Sequence, residues 1–248
     1  MKISIITATY NSAATIARCI ASVNGQTYPN IGHIIVDGAS KDNTIEIIKS
    51  LPGRVTKIIS EPDSGIYNAM NKGIRMATGD IIGTLNSDDH FYNGDILKKV
   101  TQTFHDHPEI ECMYGNLVFV NSADKVVRTW KSKPFKQGLF ARSWSPAHPA
   151  FYCRKEVFEK YGLYKTNYKI AADVEFMLRV LELNRIDSYF LDETLVRFSV
   201  GGASTNGLIS TITLTREMQR AFKENGLQFN LPKYMFYKAL KIKEYLVK

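Results

Sequence analysis

Residues 2–9 read KISIITAT, a run of apolar and β-branched residues as long as one buried strand. Ser12 and Thr15 follow as candidate helix N-caps. After them, apolar residues recur at the spacing of one helix face, at Ile16, Cys19, Ile20 and Val23. The chain is therefore predicted to begin with a strand, followed by a helix that packs on it.

This strand-then-helix pattern recurs three more times in the first 110 residues. Short apolar runs predict strands at 34–37, 55–60 and 80–85, and amphipathic runs predict helices at 42–48, 67–77 and 94–107. Four such units in succession form a doubly wound, mostly parallel sheet. The predicted fold class is therefore α/β.

The second half of the chain is less regular and predicts a mixed sheet. Residues 112–120 and 125–130 flank the turn NSAD, which indicates an antiparallel pair of strands. Further elements are predicted as strands at 187–191 and 195–200 and as helices at 155–161, 174–183 and 207–225. No linker interrupts these patterns, so we expect one domain over residues 1–228, with halves at 1–110 and 111–228, and a helix at 229–248.

Composition narrows the class of protein. Hydrophobic residues make up 44% of the 248 residues, which is enough for a sizeable core. No stretch approaches the roughly 18 consecutive apolar residues of a membrane-spanning helix. The net charge of +8 favours anionic partners. Three widely spaced cysteines without a CxxC pattern predict reduced core thiols in a cytosolic protein: Cys19, Cys112 and Cys153.

Acidic side chains follow three successive strands, at the edge where open α/β sheets bind ligands. Asp37 ends the second strand, Glu61 and Asp63 follow the third, and the pair Asp88 and Asp89 follows the fourth. Carboxylates gathered on one edge of a basic protein favour a divalent cation among them. Mg²⁺ or Mn²⁺ would suit a diphosphate, because these cations combine one or two protein carboxylates with phosphate oxygens.

Each of these acids also has a purely structural interpretation. An aspartate in a strand-to-helix turn is often an N-cap or part of an Asx turn. The adjacent pair Asp88 and Asp89 favours a metal site, because neighbouring carboxylates repel each other and only one of the two could cap the following helix.

Four linked motifs resemble the family-2 glycosyltransferases of bacterial polysaccharide type. They are SIITATYN at 4–11, VDGASKDNT at 36–44, SEPDSGIYNAMNKG at 60–73 and LNSDD at 85–89. The resemblance implies a GT-A fold, with a nucleotide-sugar half at 1–110 and an acceptor half at 111–228. It also implies an inverting transfer from a nucleotide diphosphate donor, usually a UDP-sugar, to a glycan or lipid-linked acceptor in surface polysaccharide or lipopolysaccharide assembly.

Carried over residue by residue, the resemblance assigns nucleotide-sugar binding to Thr9, Asn11, Asp37, Asp63, Lys72 and Asp88. Asp88 and Asp89 match the metal and ribose motif of the family, with Asp89 as the expected main ligand of Mg²⁺ or Mn²⁺. Two positions depart from the common pattern, because Gly38 replaces a second aspartate and Asn86 replaces the first aspartate before the acidic pair. The second departure leaves open how Asp88 and Asp89 share the metal.

An inverting transfer needs a carboxylate outside the metal cluster that takes the proton of the acceptor hydroxyl. The run AADVEFMLR at 171–179 resembles the second acidic motif of the family, with Asp173 at the position of the base and Ala172 in place of a common glutamate. Asp173 could instead be only the N-cap of its helix. His148 and Glu175 are candidates for contact with the acceptor or the donor. The alternative for His148 is a packing role in its loop, and the alternative for Glu175 is a solvated residue on its helix. A later segment resembles one that closes over the donor phosphates, through Phe198, Gly201, Gly202 and Ser204.

Two other functions fit parts of the pattern. A sugar-phosphate nucleotidyltransferase would use acids and Mg²⁺ at the same edge, but it needs a glycine-rich, basic loop after the first strand, where this chain has YNSAA at 10–14. A non-catalytic basic binding module would explain the net charge but not the acids on the ligand edge. We therefore expect no nucleic-acid partner.

Residues 229–248 are predicted to form a basic amphipathic helix. One glutamate accompanies five lysines, for a segment charge of +4: Lys233, Lys238, Lys241, Lys243 and Lys248. Such a helix can bind an anionic membrane surface, so we expect a cytoplasmic protein that is peripheral on the inner face of the plasma membrane. The alternative is that its apolar residues pack on the domain or on a second subunit.

Overall fold

The computed structural model of the chain describes residues 1–51, 53–201 and 207–246, without the side chains of 207–209 and 241–246. Several residues named in the sequence predictions lie outside this description. They are Gly202 and Ser204 of the predicted phosphate-closing segment, and Val247 and Lys248 at the end of the C-terminal helix.

In the described parts of the chain, nine strands form one sheet. They are β1 Ile3–Thr9, β2 Ile31–Asp37, β3 Val55–Ser60, β4 Ile81–Thr84, β5 His90–Phe91, β6 Cys112–Val120, β7 Val126–Trp130, β8 Phe151–Arg154 and β9 Ser188–Ser199. The strand order is β3-β2-β1-β4-β8-β6-β9-β5, and β7 pairs with β6 outside this order.

The helices lie between and after these strands. They are α1 Ile16–Asn24, α2 Thr44–Ser50, α3 Ile66–Met76, α4 Ile96–Asp106, α5 Lys155–Tyr161, α6 Ala172–Met177, α7 Gly207–Glu224 and α8 Leu231–Leu246. Helix α6 continues as a π-helical segment at Leu178–Leu183. Short 3-10 turns occur at Phe140–Arg142 and His148–Ala150.

The predicted doubly wound half is confirmed. Strand β1 pairs in parallel with both β2 and β4, and β2 pairs in parallel with β3. The remainder of the sheet is mixed, because β8 is antiparallel to β4 and to β6 while β9 is parallel to β6. The predicted antiparallel pair is β6 and β7.

Three details of the strand prediction were wrong. Strand β2 begins at Ile31, three residues before the predicted start, because both faces of this inner strand are covered and Gly32 and His33 are buried with it. The two strands predicted at 187–191 and 195–200 are one strand, β9, with irregular register against β6. Strand β5 is only two residues long, which is too short for any periodicity to show.

Apolar side chains cover both faces of the sheet. On one face, Ile3 and Ile5 of β1 pack with α1 and α4, and on the other face Ile6 and Ala8 pack with α3, α5 and α6. The three cysteines are free and buried, as predicted. Among the residues that the structure describes, no helix has the length and hydropathy needed to cross a membrane.

His33 is a fully buried histidine at the centre of β2. Its Nε2 atom lies 2.9 Å from the hydroxyl of Thr7 on β1. Burial lowers the pKa of His33 from 6.5 to about 3, because the imidazolium would be desolvated. The folded protein therefore holds this imidazole neutral at pH values where the unfolded chain protonates it.

We predict that this histidine makes folding stability fall as the pH falls from 6.5 towards 3. The unfolded state binds the extra proton, so between pH 7.5 and 5.0 the free energy of unfolding should lose about 2 kcal/mol through His33. Urea unfolding at both pH values should show a correspondingly smaller loss for His33→Gln. His105→Gln, at a side chain that is 77% exposed, is the control and should keep the wild-type difference. An unchanged pH dependence in His33→Gln would contradict the prediction.

Candidate functional site

The carboxyl ends of β1 and β2 lie side by side. Thr9 and Asp37 are register partners at these ends, and the amide of Gly38 donates to the carbonyl of Thr9 at 2.9 Å. Asp37 is fully buried, and its carboxylate accepts hydrogen bonds from Ser60 Oγ at 2.6 Å and from the amide and hydroxyl of Ser40. The structure thus places Asp37 as the centre of the turn after β2.

Asn11 lies against the same turn. It has a φ of 48°, and its amide donates to Ser40 Oγ at 2.8 Å. Its side-chain oxygen accepts from the amide of Lys41 at 2.8 Å. The two turns that follow β1 and β2 are therefore bonded to each other, and Asn11 is exposed above them.

Gly38 is explained by the close approach of Asp63. A Cβ atom at residue 38 would lie 2.7 Å from Asp63 Oδ2, which is closer than atoms normally approach. The other oxygen of Asp63 accepts from the amide of Gly65 at 2.8 Å. The carboxylate of Asp63 thus occupies space that a second aspartate after Asp37 would need.

Lys72 reaches back from α3 to the residues after β3. Its Nζ atom is 2.7 Å from Glu61 Oε1 and donates to the carbonyl of Pro62 at 3.1 Å. The structure therefore keeps Lys72 beside the turn that carries Asp63.

Two buried polar atoms near the strand ends have no hydrogen-bond partner among the described residues. They are Thr9 Oγ1 at the end of β1 and Asn86 Oδ1 in the turn after β4. A buried oxygen without a partner costs free energy, so such atoms are favourable contacts for a polar ligand.

The adjacent acids Asp88 and Asp89 have different surroundings. Asp89 is fully buried, with one oxygen accepting from the amide of Ser199 and the other from the side chain of Asn86, both at 2.9 Å. Burial, and then the charge of Asp88, raise the pKa of Asp89 well above its usual value. This arrangement explains Asn86, because an amide can donate to Asp89 whereas an ionised aspartate would repel it.

Asp88 keeps a partly exposed carboxylate, to which no other described residue donates a hydrogen bond. Its carbonyl accepts from Ser199 Oγ at 2.6 Å and from Arg18 Nη2 at 3.2 Å, which fixes the backbone on the end of β9. Burial raises the pKa of Asp88, and the nearby Arg18 and His148 lower it by less.

The carboxylate oxygens of Asp88 and Asp89 suit a cation that takes few protein ligands. Within the described residues, no three histidine, cysteine, aspartate or glutamate side chains converge on one point. Mg²⁺ and Mn²⁺ differ from structural zinc in this respect, since one or two carboxylates with substrate oxygens suffice. The carboxylate of Asp88, which accepts no hydrogen bond from another described residue and has a raised pKa, fits such a cation, because positive charge would offset the desolvation.

Asp173 lies in the first turn of α6 and makes no capping hydrogen bond, so the N-cap interpretation is wrong. Tyr67 of α3 donates its phenol hydrogen to Asp173 Oδ1 at 2.9 Å. His148 Nδ1 lies 3.4 Å from Asp173 Oδ2. Each oxygen of the carboxylate is therefore oriented by a side chain from a different part of the fold.

His148 contacts Asp173 and is influenced by the charge of Asp88. Burial lowers the pKa of His148, and the charges of Asp173 and Asp88 raise it by less. Its imidazole is therefore neutral near pH 7, with 20% of the side chain exposed. The structure thus brings His148 and Asp173, which are far apart in the sequence, into contact, and the charge of Asp88 acts on His148.

Glu175 does not belong to this group. It is fully buried, and its carboxylate contacts Lys165 Nζ, Arg179 Nη2 and Asn225 Nδ2, each at 3.0 Å. The interpretation of Glu175 as a solvated helix residue is therefore wrong. Its oxygens are engaged by donors that join α6 to α7 and to the chain before α6, so they are not directed at a donor or acceptor sugar.

Sequence reasoning missed Glu217, which holds the segment that leads into α6. This buried carboxylate on α7 accepts hydrogen bonds from three consecutive amides, at 2.6 Å from Lys169 and at 3.0 Å from Ile170 and Ala171. Nothing in the helical pattern of α7 distinguishes Glu217 from a solvated glutamate. Tyr67 was also missed, although it lies within the quoted motif at 60–73.

Comparison with known proteins gives one family. The glycosyl transferase family 2 model matches residues 4–162. A PGL/p-HBAD biosynthesis glycosyltransferase of Mycobacterium tuberculosis is 27% identical over 86% of this chain and 82% of its own length. An uncharacterized glycosyltransferase from the same species is 31% identical over 71% of this chain and 68% of its own length.

Solved structures share the fold. S. aureus TarS 1-349 in complex with UDP-GlcNAc superposes with a TM-score of 0.70 at 18% identity, over 92% of this chain and 68% of that chain. The mannosyltransferase PcManGT from Pyrobaculum calidifontis, in complex with GDP-Man and Mn²⁺, gives a TM-score of 0.69 at 17% identity, over 96% and 68%. These likenesses confirm the expected GT-A architecture.

The family match covers the four motifs and the strand ends described above, and it extends through His148 to the end of α5. The family match therefore favours a glycosyltransferase over the two alternatives, a sugar-phosphate nucleotidyltransferase and a non-catalytic binding module. The chain belongs to glycosyl transferase family 2.

Proposed function

We propose that the chain is an inverting, metal-dependent glycosyltransferase that moves a sugar from a UDP-sugar to an acceptor hydroxyl. The observation that carries the proposal is the orientation of Asp173 by Tyr67 and His148, at 2.9 and 3.4 Å, on the side of the sheet where the charge of Asp88 also acts on His148. Asp173 is oriented to take a proton, and Asp88, which no other described residue engages through its carboxylate, would bind a cation. Membership of the family supports the reaction class.

We assign the nucleoside diphosphate to the ends of β1, β2 and β3. The Thr9 hydroxyl, which has no partner among the described residues, and the exposed side chain of Asn11 would contact it. Asp37 would fix the turn against which the base lies. Asp63 and Lys72 would border the donor, with the Lys72 ammonium supplying positive charge.

We assign the cation to Asp88 and give Asp89 a supporting part. The carboxylate of Asp88 is partly exposed and has no donor from another described residue, whereas both oxygens of Asp89 already accept hydrogen bonds from the protein. Asp89 would hold the turn after β4 on β9 and so keep Asp88 in position. Bound Mg²⁺ or Mn²⁺ supplies positive charge that stabilises the leaving diphosphate.

Asp173 is the base in this proposal. The acceptor oxygen forms a bond to the anomeric carbon while the bond from that carbon to the diphosphate oxygen breaks, and the hydroxyl proton passes to Asp173. The nucleoside diphosphate departs with the bonding electron pair, and attack from the opposite face inverts the anomeric centre. Tyr67 and His148 keep the carboxylate oriented during this step.

We propose that the acceptor is a glycan or a lipid-linked sugar in the assembly of a surface polysaccharide or lipopolysaccharide. One mycobacterial relative is named for PGL/p-HBAD biosynthesis, which supports a role in glycoconjugate assembly. The two structural neighbours were solved with UDP-GlcNAc and with GDP-Man, so the fold accepts either nucleotide. The motif resemblance favours uridine.

The cation assignment predicts different outcomes at the two adjacent acids. One member of a panel of UDP, GDP and dTDP sugars should raise the melting temperature more with Mn²⁺ than without it. Asp88→Asn should abolish the Mn²⁺-dependent part of this shift while the unliganded protein stays stable. Asp89→Asn should lower the free energy of unfolding without ligand by about 1–3 kcal/mol. The new side-chain NH₂ would face an N–H group, either that of the Asn86 side chain or the amide of Ser199, and one hydrogen bond would be lost.

Asp187→Asn, at an exposed acid before β9, is the matched control and should behave as wild type. Retention of full Mn²⁺ dependence in Asp88→Asn would contradict the assignment. The absence of a donor shift in the wild-type protein across the whole panel would contradict the proposed function itself.

The base assignment predicts a loss of turnover without a loss of donor binding. Asp173→Asn keeps the size of the side chain but cannot take the proton, so release of nucleoside diphosphate from the stabilising donor should fall about 100-fold or more. The donor-induced thermal shift should remain. Turnover within a few-fold of wild type would mean that another group is the base.

A membrane surface is the second partner that we propose, on helix α8. Tyr234 is 4% exposed and packs on Phe229, whose ring also contacts Phe222 of α7. One side of α8 therefore packs on the domain. Other apolar side chains of the helix stay exposed: Leu231, Met235, Phe236 and Leu240.

Charge favours an anionic surface as the partner of these side chains. Lys233 is exposed next to them, and three more lysines follow in the sequence of 241–248. Lys238 is turned towards α7, where its Nζ donates to Thr215 Oγ1 at 3.0 Å. Each lysine near an anionic leaflet contributes about 1 kcal/mol, which is appreciable for four.

We predict that Phe236→Glu weakens sedimentation with vesicles of equal phosphatidylglycerol and phosphatidylcholine. Phe236 is 61% exposed, so the change removes an insertable ring without disturbing the core. Val127→Glu, at a 55% exposed residue of β7, is the control. Equal binding by both variants, or by wild type to pure phosphatidylcholine, would contradict the proposal. Point substitution is preferable to truncation, which would also remove Tyr234 from the core.

A further inference from the structure

A recess of about 260 Å³ lies between the start of α3 and the segment that leads into α6. Ser64, Tyr67 and Asn68 border it on the α3 side. Residues 166–169 form the opposite wall. None of the sequence motifs pointed to this recess, because its second wall comes from an irregular segment about 100 residues further along the chain.

Tyr67 joins the recess to the proposed base. The residue borders the recess, and its phenol donates to Asp173 Oδ1 at 2.9 Å. A molecule seated in the recess would therefore lie one side chain away from the carboxylate that we assign as the base. Proton transfer requires hydrogen-bond reach, so an acceptor ring in the recess must extend one hydroxyl past Tyr67 to Asp173.

The wall at 166–169 is held in place from behind by α7. Glu217 accepts the amide hydrogen of Lys169, Arg220 donates to the carbonyl of Asn167 at 3.2 Å, and Tyr168 donates to Glu224 at 3.0 Å. A segment fixed by several polar contacts loses little conformational entropy when a ligand binds. The wall is thus pre-formed although it contains no helix or strand.

The side chains around the recess suit a sugar ring. Ser64 and Thr166 offer hydroxyls, Asn68 and Asn167 offer amides, and Lys169 is the one charged side chain among the described lining residues. Such groups both donate and accept, as the hydroxyls of a sugar require. The volume is below the roughly 300 Å³ at which pockets for drug-sized ligands begin, so it suits one ring rather than an oligosaccharide.

We propose that this recess binds the terminal sugar ring of the acceptor and directs one of its hydroxyls towards Asp173. The inference rests on the proposed function, since it deepens the acceptor side of the same site. The ligand class is a neutral hexose or N-acetylhexosamine at the end of a glycan. Residues 166–169 would then help to determine which acceptor sugar binds. Helix α7 would influence this choice indirectly, because it holds residues 167–169 in place.

The test uses methyl glycosides of glucose, galactose, mannose and N-acetylglucosamine with the full chain, observed by saturation-transfer NMR. At least one glycoside should bind the wild-type protein. Thr166→Trp should fill the recess and abolish that signal, because Thr166 is exposed on its wall. Thr129→Trp, at an exposed threonine of β7, is the matched control and should retain it.

A second variant keeps the test decisive if the tryptophan disturbs folding. Asn167→Ala retains the carbonyl that Arg220 contacts and removes only the amide, so it should weaken glycoside binding several-fold. Both variants should keep the wild-type thermal shift with the nucleotide-sugar donor. Donor binding without any glycoside signal, or a signal that persists in both recess variants, would overturn this inference alone. Absence of donor binding in wild type would instead overturn the proposed function.

Discussion

Strand β1 lies between β2 and β4, and the main-chain hydrogen bonds of these parallel pairs bring three carboxyl ends to one edge of the sheet. Thr9 and Asp37 become register partners there, and the turn with Asp88 and Asp89 follows β4 at the same edge. Parallel strands are stable only when helices cover both faces of the sheet. The edge formed by these carboxyl ends, where α/β sheets bind ligands, therefore depends on the packed cores on both faces.

Buried carboxylates connect the parts of the fold around this edge. Asp37 joins the turns after β2 and β3, Asp89 joins the turn after β4 to β9, and Glu217 holds the entry to α6. Each is largely or fully buried and accepts at least two hydrogen bonds, which offsets desolvation. Asp88 and Asp173 differ, because their side chains remain partly exposed to solvent. A carboxylate that is exposed and has few protein partners can bind a cation or take a proton.

The second half of the chain supplies the remaining wall of the site. Strand β8 lies next to β4, so the 3-10 turn that carries His148, which precedes β8, lies close to the residues after β4. Helix α6 then presents Asp173 to Tyr67 of α3. Tyr67 thus borders the proposed acceptor recess and orients the proposed base, which His148 also contacts.

The sequence by itself determined the alternating strands and helices of the first half, the acids at the strand ends and the family, because strand periodicity and motif spacing are local properties. Only the tertiary structure decided which acids accept hydrogen bonds from other parts of the protein. Glu175 and Asp89 have the sequence context of functional carboxylates, and donors 50 and 110 residues away, Asn225 and Ser199, contact them. Glu217 and Tyr67 became relevant in the same way, since burial and hydrogen bonding depend on residues tens of positions away, which no local pattern encodes.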